Sequence, residues 1–343
     1  MNSRERVRRA MHYRSVDKVP LQYYYTPVGY YEHGEKLNDL YASLPGDFEP
    51  YRRMPIPKIA ESCYDIDGRY HELRRDEWGV VWEYRIFGVA GIPKHHPISS
   101  PEEMMAYRLP PDPADAGEEF DAYARQVRKR QEDGFYTFGG AGSLYEILLA
   151  LYGDENVLCD IALDEPAIHD LADRLMRRGL ANVRRSVKAG ADGIALGDDY
   201  GTERGMILSP KRWREFFKPR MREMLEPAAK AGLDIHFHSC GNIMPILEDL
   251  REVGITSIWP QLPAYDMKEL ADRCCSLGLA VAIHTDRART MTSGTPQQVR
   301  DLVRREFDIF RMTDGGSWFY IEADNGFPFE NLAALVETVA QWR

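Results

Sequence analysis

The sequence predicts an α/β protein of the TIM (β/α)8 barrel class, with an N-terminal extension and a hairpin over the barrel. Its 343 residues are a common length for one such barrel. From Phe135 onward, six short apolar segments alternate with amphipathic helical patterns. Most of these helical patterns end at a glycine, which is typical of parallel βα units.

The N-terminal layer, residues 1–115, supplies the other predicted elements in chain order. The first is an amphipathic helix within "MNSRERVRRAMHYRSVDKVP", followed by a strand in "VPLQYYY". A second, weaker strand pattern lies near "ESCYDID" and would bring the strand count to eight. The alternating segment "EWGVVWEYRIFGVAGIPKHHP" predicts the hairpin.

Residues 116–343 contain the regular βα units. The six predicted strands lie in "FYTFGG", "DGIALGDD", "LDIHFHSCG", "ITSIWPQ", "LAVAIHTD" and "WFYIEADNG". The segment "TPQQ" predicts a helix start, with Thr295 as N-cap and Gln298 completing a capping box. No repeat or flexible linker divides the chain, so we predict a single domain over 1–343.

The composition excludes several classes of protein. Hydrophobic residues make up 44% and the formal net charge is -10, which argues against a nucleic-acid partner. No segment has the ~20 apolar residues that cross a bilayer, and the basic N-terminus lacks the apolar stretch of a signal peptide. Five scattered cysteines in such a chain predict free thiols. We therefore expect a cytoplasmic protein.

The segment "DIHFHSCGNI", residues 234–243, predicts a metal site. On a strand, His236, His238 and Cys240 point to the same face. His238 and Cys240 fall at the strand end, where a TIM barrel has its active site, and histidine and cysteine are both residue types that commonly bind zinc. The expected third ligand is Glu322, with Asp324 and His236 as alternatives. A core histidine beside a buried cysteine is the competing interpretation.

Other polar residues also follow the predicted strands. We predict a catalytic role for Asp199, His284 and Asp286, and substrate binding by Asp198, Glu203, Gln261 and Asp324. Capping of the next segment is an equally good interpretation of Asp198 and Asp199, and one member of the pair His284 and Asp286 fits a loop cap.

Five tyrosines occur within nine residues of "QYYYTPVGYYEHG". Strand alternation sends Tyr23 and Tyr25 to one face and Tyr24 to the other, so only part of the set can line a pocket. We predict that Tyr23 and Tyr25 bind substrate; ordinary packing of the tyrosines is the alternative.

The chain resembles the uroporphyrinogen decarboxylase superfamily. The resemblance rests on "RERVRRAMHYRSVDKVPL", "KAGADGIALGDDYGTERGMILSPKRWREFFKPRM", "HSCGNIMPILEDLREVGI", "SGTPQQVRDLVRR" and "PFENLAALVETV". It implies a TIM barrel with its site at the strand C-termini. Authentic uroporphyrinogen decarboxylases carry an arginine-rich segment after the first strand, whereas no arginine lies between Leu21 and Tyr51 here. Decarboxylation of that tetrapyrrole is therefore not expected.

The resemblance is closer to the corrinoid-dependent methyltransferases of the superfamily. Those enzymes bind zinc through His-x-Cys, matched by His238 and Cys240, and through a later cysteine that is absent because none follows Cys275. A carboxylate in its place makes zinc a harder Lewis acid, suited to an oxygen or nitrogen leaving group.

The resemblance thus implies a zinc methyltransferase acting between a small methylated substrate (methyl ether, methanol, methylamine or thiol) and cobalamin, for example as an O-demethylase component. A partner corrinoid protein would supply the cobalamin, and a homodimer is compatible with the family. Two alternatives stay open: a metal-free decarboxylase or lyase of a small acid, and a non-catalytic homologue that binds a corrinoid or another ligand.

Overall fold

The computed structural model describes all 343 residues, Met1–Arg343. Its strands are β1 (Leu21–Tyr24), β2 (Glu72–Arg75), β3 (Val81–Tyr84), β4 (Ile92–His95), β5 (Phe138–Gly140), β6 (Gly193–Gly197), β7 (Gly201–Thr202), β8 (Gly205–Met206), β9 (Asp234–Ser239), β10 (Ser257–Pro260), β11 (Ala280–His284) and β12 (Ser317–Glu322). Its helices are α1 (Ser3–Met11), α2 (Pro27–His33), α3 (Glu35–Ser43), α4 (Pro101–Ala106), α5 (Gly117–Glu132), α6 (Tyr145–Tyr152), α7 (Asp154–Leu163), α8 (Pro166–Ala189), α9 (Pro210–Lys230), α10 (Leu247–Glu252), α11 (Met267–Leu277), α12 (Thr290–Ser293), α13 (Pro296–Ile309) and α14 (Phe329–Val339). None of these helices has the length and apolar character needed to cross a membrane.

Seven strands form one parallel sheet in the order β1-β12-β11-β10-β9-β6-β5. They are the six regular strands and the strand of "VPLQYYY", all of which the sequence predicts. The sheet is strongly curved, because the rings of His236 on β9 and Trp318 on β12 lie 5.3 Å apart although two strands separate them. The architecture is an incomplete barrel with its helices outside.

The eighth predicted strand is wrong. Near "ESCYDID" the chain forms a 3-10 turn at Glu61–Cys63, and the edge strands β1 and β5 do not pair with each other. A segment after α3 covers this gap. The backbone N–H of Asp47 donates to the carbonyl of Leu21 on β1, at 2.7 Å. The ring of Phe48 stacks on Phe138 of β5 at 6.1 Å and meets Trp318 at 5.7 Å.

Asp47 fixes that covering segment through a buried network. Its carboxylate, 1% exposed, accepts hydrogen bonds from Arg6 Nη1 (2.6 Å), Ser3 Oγ (2.8 Å) and the Leu21 backbone (3.0 Å). Arg343 forms a further ion pair with it. Both arginines are nearly buried; Arg343 depends on Asp47 for its counter-charge, whereas Arg6 shares its charge between Asp47 and Asp17.

The predicted hairpin is present as β3 and β4, and β2 adds a third antiparallel strand. This small sheet joins two parts of the barrel. Gly88 lies against α2, where a Cβ atom would come within 2.5 Å of the Val28 nitrogen. Next to β3, the ring of Trp78 lies 5.0 Å below the guanidinium of Arg178 on α8.

Local signals in the sequence position the helices as expected. The capping box of Thr295 and Gln298 is confirmed at the start of α13. Gly190 and Gly278 end α8 and α11 in the left-handed conformation, which satisfies the last helical carbonyls. The main core packs between the sheet and the helices, and a smaller aromatic cluster fills the inside of the barrel.

Candidate metal centre

The C-terminal end of β9 carries His238 and, one residue beyond the strand, Cys240. His236 lies deeper in the barrel, where its Nδ1 is 2.9 Å from the Oγ of Ser257. Burial, together with a smaller contribution from His238, lowers the pKa of His236 to about 3. His236 is therefore a neutral residue of the barrel interior, while His238 and Cys240 reach the mouth.

The orientation of His238 leaves one nitrogen free. Its Nδ1 is 2.9 Å from the backbone carbonyl oxygen of Trp259. A carbonyl only accepts, so Nδ1 carries the proton and Nε2 keeps its lone pair. Nε2 lies 3.5 Å from Cys240 Sγ and 3.5 Å from Asp199 Oδ1. Histidines that bind metals are typically oriented by such a hydrogen bond from the other nitrogen.

Asp199 completes a cluster of three donor atoms. It follows β6, the strand that pairs with β9, and its Oδ1 accepts a hydrogen bond from the Cys240 backbone at 2.7 Å. The three donor atoms all lie within 4.8 Å of one another. Tetrahedral zinc with bonds of about 2.0–2.3 Å has ligand separations of roughly 3.3–3.8 Å, and the 3.5 Å distances match them.

The protonation states also suit a cation. Burial, aided by Asp199, raises the pKa of the Cys240 thiol to about 12, and a bound divalent cation deprotonates such a thiol outright. Burial lowers the pKa of His238 despite the opposing effect of Asp199, so the imidazole is neutral and able to donate its lone pair. Asp199, His238 and Cys240 could thus hold one zinc ion and leave its fourth position open.

A second polar cluster adjoins the first. Arg287 Nη1 is 3.1 Å from Glu322 Oε1, and His284 Nε2 is 3.5 Å from the same oxygen. The indole N–H of Trp259 donates to His284 Nδ1 at 3.2 Å, so the imidazole proton is on Nε2 and faces Glu322. Burial lowers the pKa of His284 to about 3, with a further contribution from Arg287, which keeps the ring neutral.

A family model described as uroporphyrinogen decarboxylase (URO-D) matches residues 87–342. The chain belongs to the uroporphyrinogen decarboxylase family. The resemblance seen in the sequence is thereby confirmed.

Individual relatives are distant from this family member. A uroporphyrinogen decarboxylase of Christiangramia forsetii is 27% identical over 137 residues, which span 38% of this chain and 39% of that protein. A methyltransferase from Methanosarcina mazei covers 99% of both chains with a TM-score of 0.68 and 16% identity, which establishes a shared fold. A B12-independent methionine synthase from a Shewanella species is more weakly similar, with a TM-score of 0.42 and 12% identity over 80% of this chain and 73% of that one.

In this URO-D family protein, the third residue of the cluster differs from the expected one. Glu322 faces Arg287 and His284 rather than His238 and Cys240. The reason is strand order: β12 is separated from β9 by two strands, whereas β6 is its direct neighbour. Burial raises the pKa of Glu322, and Arg287 partly offsets that effect.

Asp198 is a structural residue here, although substrate binding was expected. Its side chain, 2% exposed, accepts hydrogen bonds from the backbone N–H groups of Leu144 and Glu146 at the start of α6, and from the hydroxyl of Tyr200. Burial raises the pKa of Asp198 to about 7, although these hydrogen bonds lower it. The carboxyl group has no face left for a substrate.

Four other predicted residues take different positions. Gln261 lies at the mouth, where its Oε1 accepts from the Gly241 backbone at 2.8 Å. Asp324 lies 3.6 Å from Arg287 Nη1. Asp286 accepts from the backbone of Ala288 and Arg289 and so caps the loop after β11, as the alternative interpretation of the pair His284 and Asp286 allowed. Glu203 is exposed in the turn between β7 and β8 and is not one of the three clustered donors.

The tyrosines of β1 alternate between two faces as predicted, but the face that reaches the mouth is that of Tyr24, not that of Tyr23 and Tyr25. Tyr23 points outward, where its hydroxyl donates to the Leu44 carbonyl and its ring lies 4.1 Å from Tyr41. Tyr25 belongs to the same outer group. Tyr24 faces the mouth instead, stacked on Tyr320 at 6.2 Å and 55% exposed. Of the three tyrosines Tyr23, Tyr24 and Tyr25, Tyr24 is therefore the one at the mouth.

Sequence reasoning missed three residues of the mouth. Glu146 on α6 accepts from the backbone of Asp199 at 3.3 Å, but no pattern in the sequence connects α6 with β6. Trp259 contacts both His238 and His284, but its position in an apolar strand pattern predicts only a packed core residue. Arg287 directly follows "IHTD", three residues past the end of β11, so extending the search one residue beyond that segment would have found it.

Replacing Glu306 by glutamine is expected to stabilise the protein increasingly as pH rises. This α13 carboxyl group is buried and accepts a hydrogen bond from the Thr285 hydroxyl at 2.8 Å. Burial raises its pKa to about 8, while Thr285 and Arg305 lower it and Asp286 raises it. An unfolded glutamate titrates near ~4.3. Between these values the native state holds the extra proton, so the free energy of unfolding of the wild type falls as pH rises.

Glutamine does not ionise, so the free energy of unfolding of E306Q should not fall in this way. Relative to the wild type it should rise by on the order of 1 kcal/mol or more between about pH 5 and pH 8. Urea unfolding across this range measures the difference. E337Q, at an exposed α14 position, is the control and should run parallel to the wild type. Parallel profiles for E306Q as well would contradict the prediction.

Proposed function

We propose that this protein is a zinc-dependent methyltransferase that moves a methyl group from a small methylated substrate to the cobalamin of a corrinoid protein. The observation that carries the proposal is the cluster of Asp199, His238 and Cys240 at the barrel mouth. The shared fold with a Methanosarcina mazei methyltransferase over 99% of both chains supports it. A methyl ether, methanol or a methylamine fits best, and a thiol is a further candidate.

In the proposed reaction, the bond between the methyl carbon and its oxygen or nitrogen breaks and a carbon–cobalt bond forms. The electron pair of the broken bond stays on the heteroatom, which then takes a proton, and cobalt(I) supplies the pair for the new bond. Zinc bound by the three residues would act as a Lewis acid toward the departing heteroatom.

The reaction also needs a correctly oriented His238 and a source for the proton, and residues around the cluster provide both. The hydrogen bond from His238 Nδ1 to the Trp259 carbonyl keeps Nε2 directed at the cluster. Although Glu146 is accessible at the mouth, partial desolvation and the charge of Asp199 raise its pKa, so this carboxyl group holds a proton more readily than a glutamate free in solution does. We assign to Glu146 the proton that the departing heteroatom takes.

The mouth is poorly suited to the tetrapyrrole that gives the family its name. Carboxyl groups of Asp199, Glu146, Glu322 and Asp324 surround it, and Arg287 is the one cation that contacts them. A substrate with many carboxylates would meet repulsion there. The metal-free lyase is also less favoured, because Trp259 already occupies the Nδ1 lone pair of His284 and Asp286 caps a loop.

The test is methyl transfer to free cob(I)alamin, followed through the visible absorption of the cobalamin and by mass spectrometry of the demethylated product. Zinc-loaded wild type should transfer the methyl group, and protein stripped by a chelator should do so only after zinc is restored. D199N should lose roughly tenfold to a hundredfold in zinc affinity, comparable to the loss of an orienting partner or greater. D272N, which removes one exposed ion pair on α11, is the control.

Equal transfer by stripped and zinc-loaded protein would overturn the role of the metal. Zinc binding without transfer to any methyl acceptor would favour the non-catalytic homologue.

A further inference from the structure

Arg287 lies at the mouth but has no role in the proposed chemistry. It follows β11 and lines the same pocket as His238, Cys240, Trp259 and Gln261. Its side chain is 44% exposed. A guanidinium group beside a candidate metal cluster is positioned to contact whatever that cluster binds.

The guanidinium group of Arg287 is held from one side only. Glu322 Oε1 at 3.1 Å and Asp324 Oδ2 at 3.6 Å both approach the same nitrogen, Nη1. Nε and Nη2 have no hydrogen-bond partner elsewhere in the chain, and these two nitrogens form one planar edge with parallel N–H bonds. The two carboxylates therefore fix the plane of the group and leave that edge open.

The protein itself shows what such an edge binds. In Arg6 the equivalent nitrogens, Nε and Nη2, take the two oxygens of Asp17 at 2.8 Å and 2.9 Å. This bidentate geometry matches carboxylates and phosphates and is stronger than a single hydrogen bond. At Arg287 the neighbouring Glu322 and Asp324 oppose a second negative charge, which favours a carboxylate over a doubly charged phosphate.

We propose that the Nε and Nη2 edge of Arg287 binds a carboxylate of the substrate, so that the methylated substrate of this site also carries one carboxylate. The inference rests on the proposed function for the methyl group, while the carboxylate contact follows from Arg287 alone. Binding at this edge would orient the substrate with its methylated end toward Asp199, His238 and Cys240.

Two pairs of methyl ethers, each an acid and its neutral counterpart, provide the test: para-methoxybenzoate with methoxybenzene, where hydrogen replaces the carboxylate, and methoxyacetate with ethyl methyl ether, where a methyl group replaces it. Their affinities for zinc-loaded protein are measured by calorimetry. The wild type should bind the acid of each pair more tightly. R287K keeps the charge but loses the planar edge, so it should bind the acids about tenfold to a hundredfold more weakly and the neutral ethers unchanged.

R289K is the matched control, because Arg289 lies on the same loop and outside this pocket. Zinc content and near-ultraviolet circular dichroism check that R287K keeps its fold. Equal affinity of the wild type for acid and neutral ether, or equal loss of both in R287K, would overturn the inference. If the acids bind through Arg287 but no methyl group is transferred, the proposed function fails while the carboxylate site stands. If methyl groups are transferred without preference for acids, the proposed function stands while the carboxylate site fails.

Discussion

Replacing Cys240 by alanine is expected to remove the bound metal and abolish methyl transfer. In the proposed site the Cys240 thiolate is one of three ligands, and C240A would leave only His238 and Asp199 to bind zinc. Loss of an outer partner of a zinc ligand already costs about 10–100-fold in affinity, so loss of a ligand should cost more. Elemental analysis should find about one zinc per chain in the wild type and far less in C240A.

The control for this experiment is C159A. Cys159 is exposed on α7, outside the donor cluster, so this variant also removes one thiol but should keep both metal and activity. Wild type that takes up no zinc, even when zinc is added back, would sink the metal mechanism. A C240A protein that retains a full complement of zinc would instead show that the metal binds elsewhere.

Replacing Asp47 by alanine is expected to give the largest loss of stability, about 3–5 kcal/mol in the free energy of unfolding. The change leaves the nearly buried Arg343 without a counter-charge and removes one of the two carboxylates that Arg6 contacts, the other being Asp17. It also removes the acceptor of the Leu21 backbone N–H, which ties the covering segment to β1. Urea unfolding at neutral pH measures the difference.

D272A supplies the comparison, since it breaks an exposed pair with Lys268. Such pairs contribute about 0–1 kcal/mol. If D47A were no more destabilising than D272A, the buried network of Asp47 would not be what fixes the segment that covers the gap between β1 and β5.

Most of the sheet could be predicted because each strand is a short apolar run bounded by a turn signal. The six strands after Phe135 and the one in "VPLQYYY" are all present. The eighth failed because "ESCYDID" has neither β-branched enrichment nor a buried face: Ile66 is fully exposed. A tertiary contact made by Phe48 fills that place, and no local pattern announces it.

The candidate site was predicted in part. The spacing of His238 and Cys240 fixes their common face, whatever the rest of the fold does. The third residue of the cluster depends on which strand lies beside β9, and a local pattern does not give the strand order. Glu322 belongs to β12, two strands away, whereas Asp199 follows the neighbouring β6. For the tyrosines, alternation gives two faces but not which face is inward, so one step of register separates Tyr23 from Tyr24.

Trp259 sets the proton positions of two histidines in opposite ways. Its backbone carbonyl accepts from His238, and its indole N–H donates to His284. The first contact is made by an atom that every amino acid possesses, whereas the second requires an indole side chain. Replacing Trp259 by another residue would therefore change the hydrogen bonding of His284, while the backbone contact that directs the His238 lone pair toward the candidate metal centre could remain.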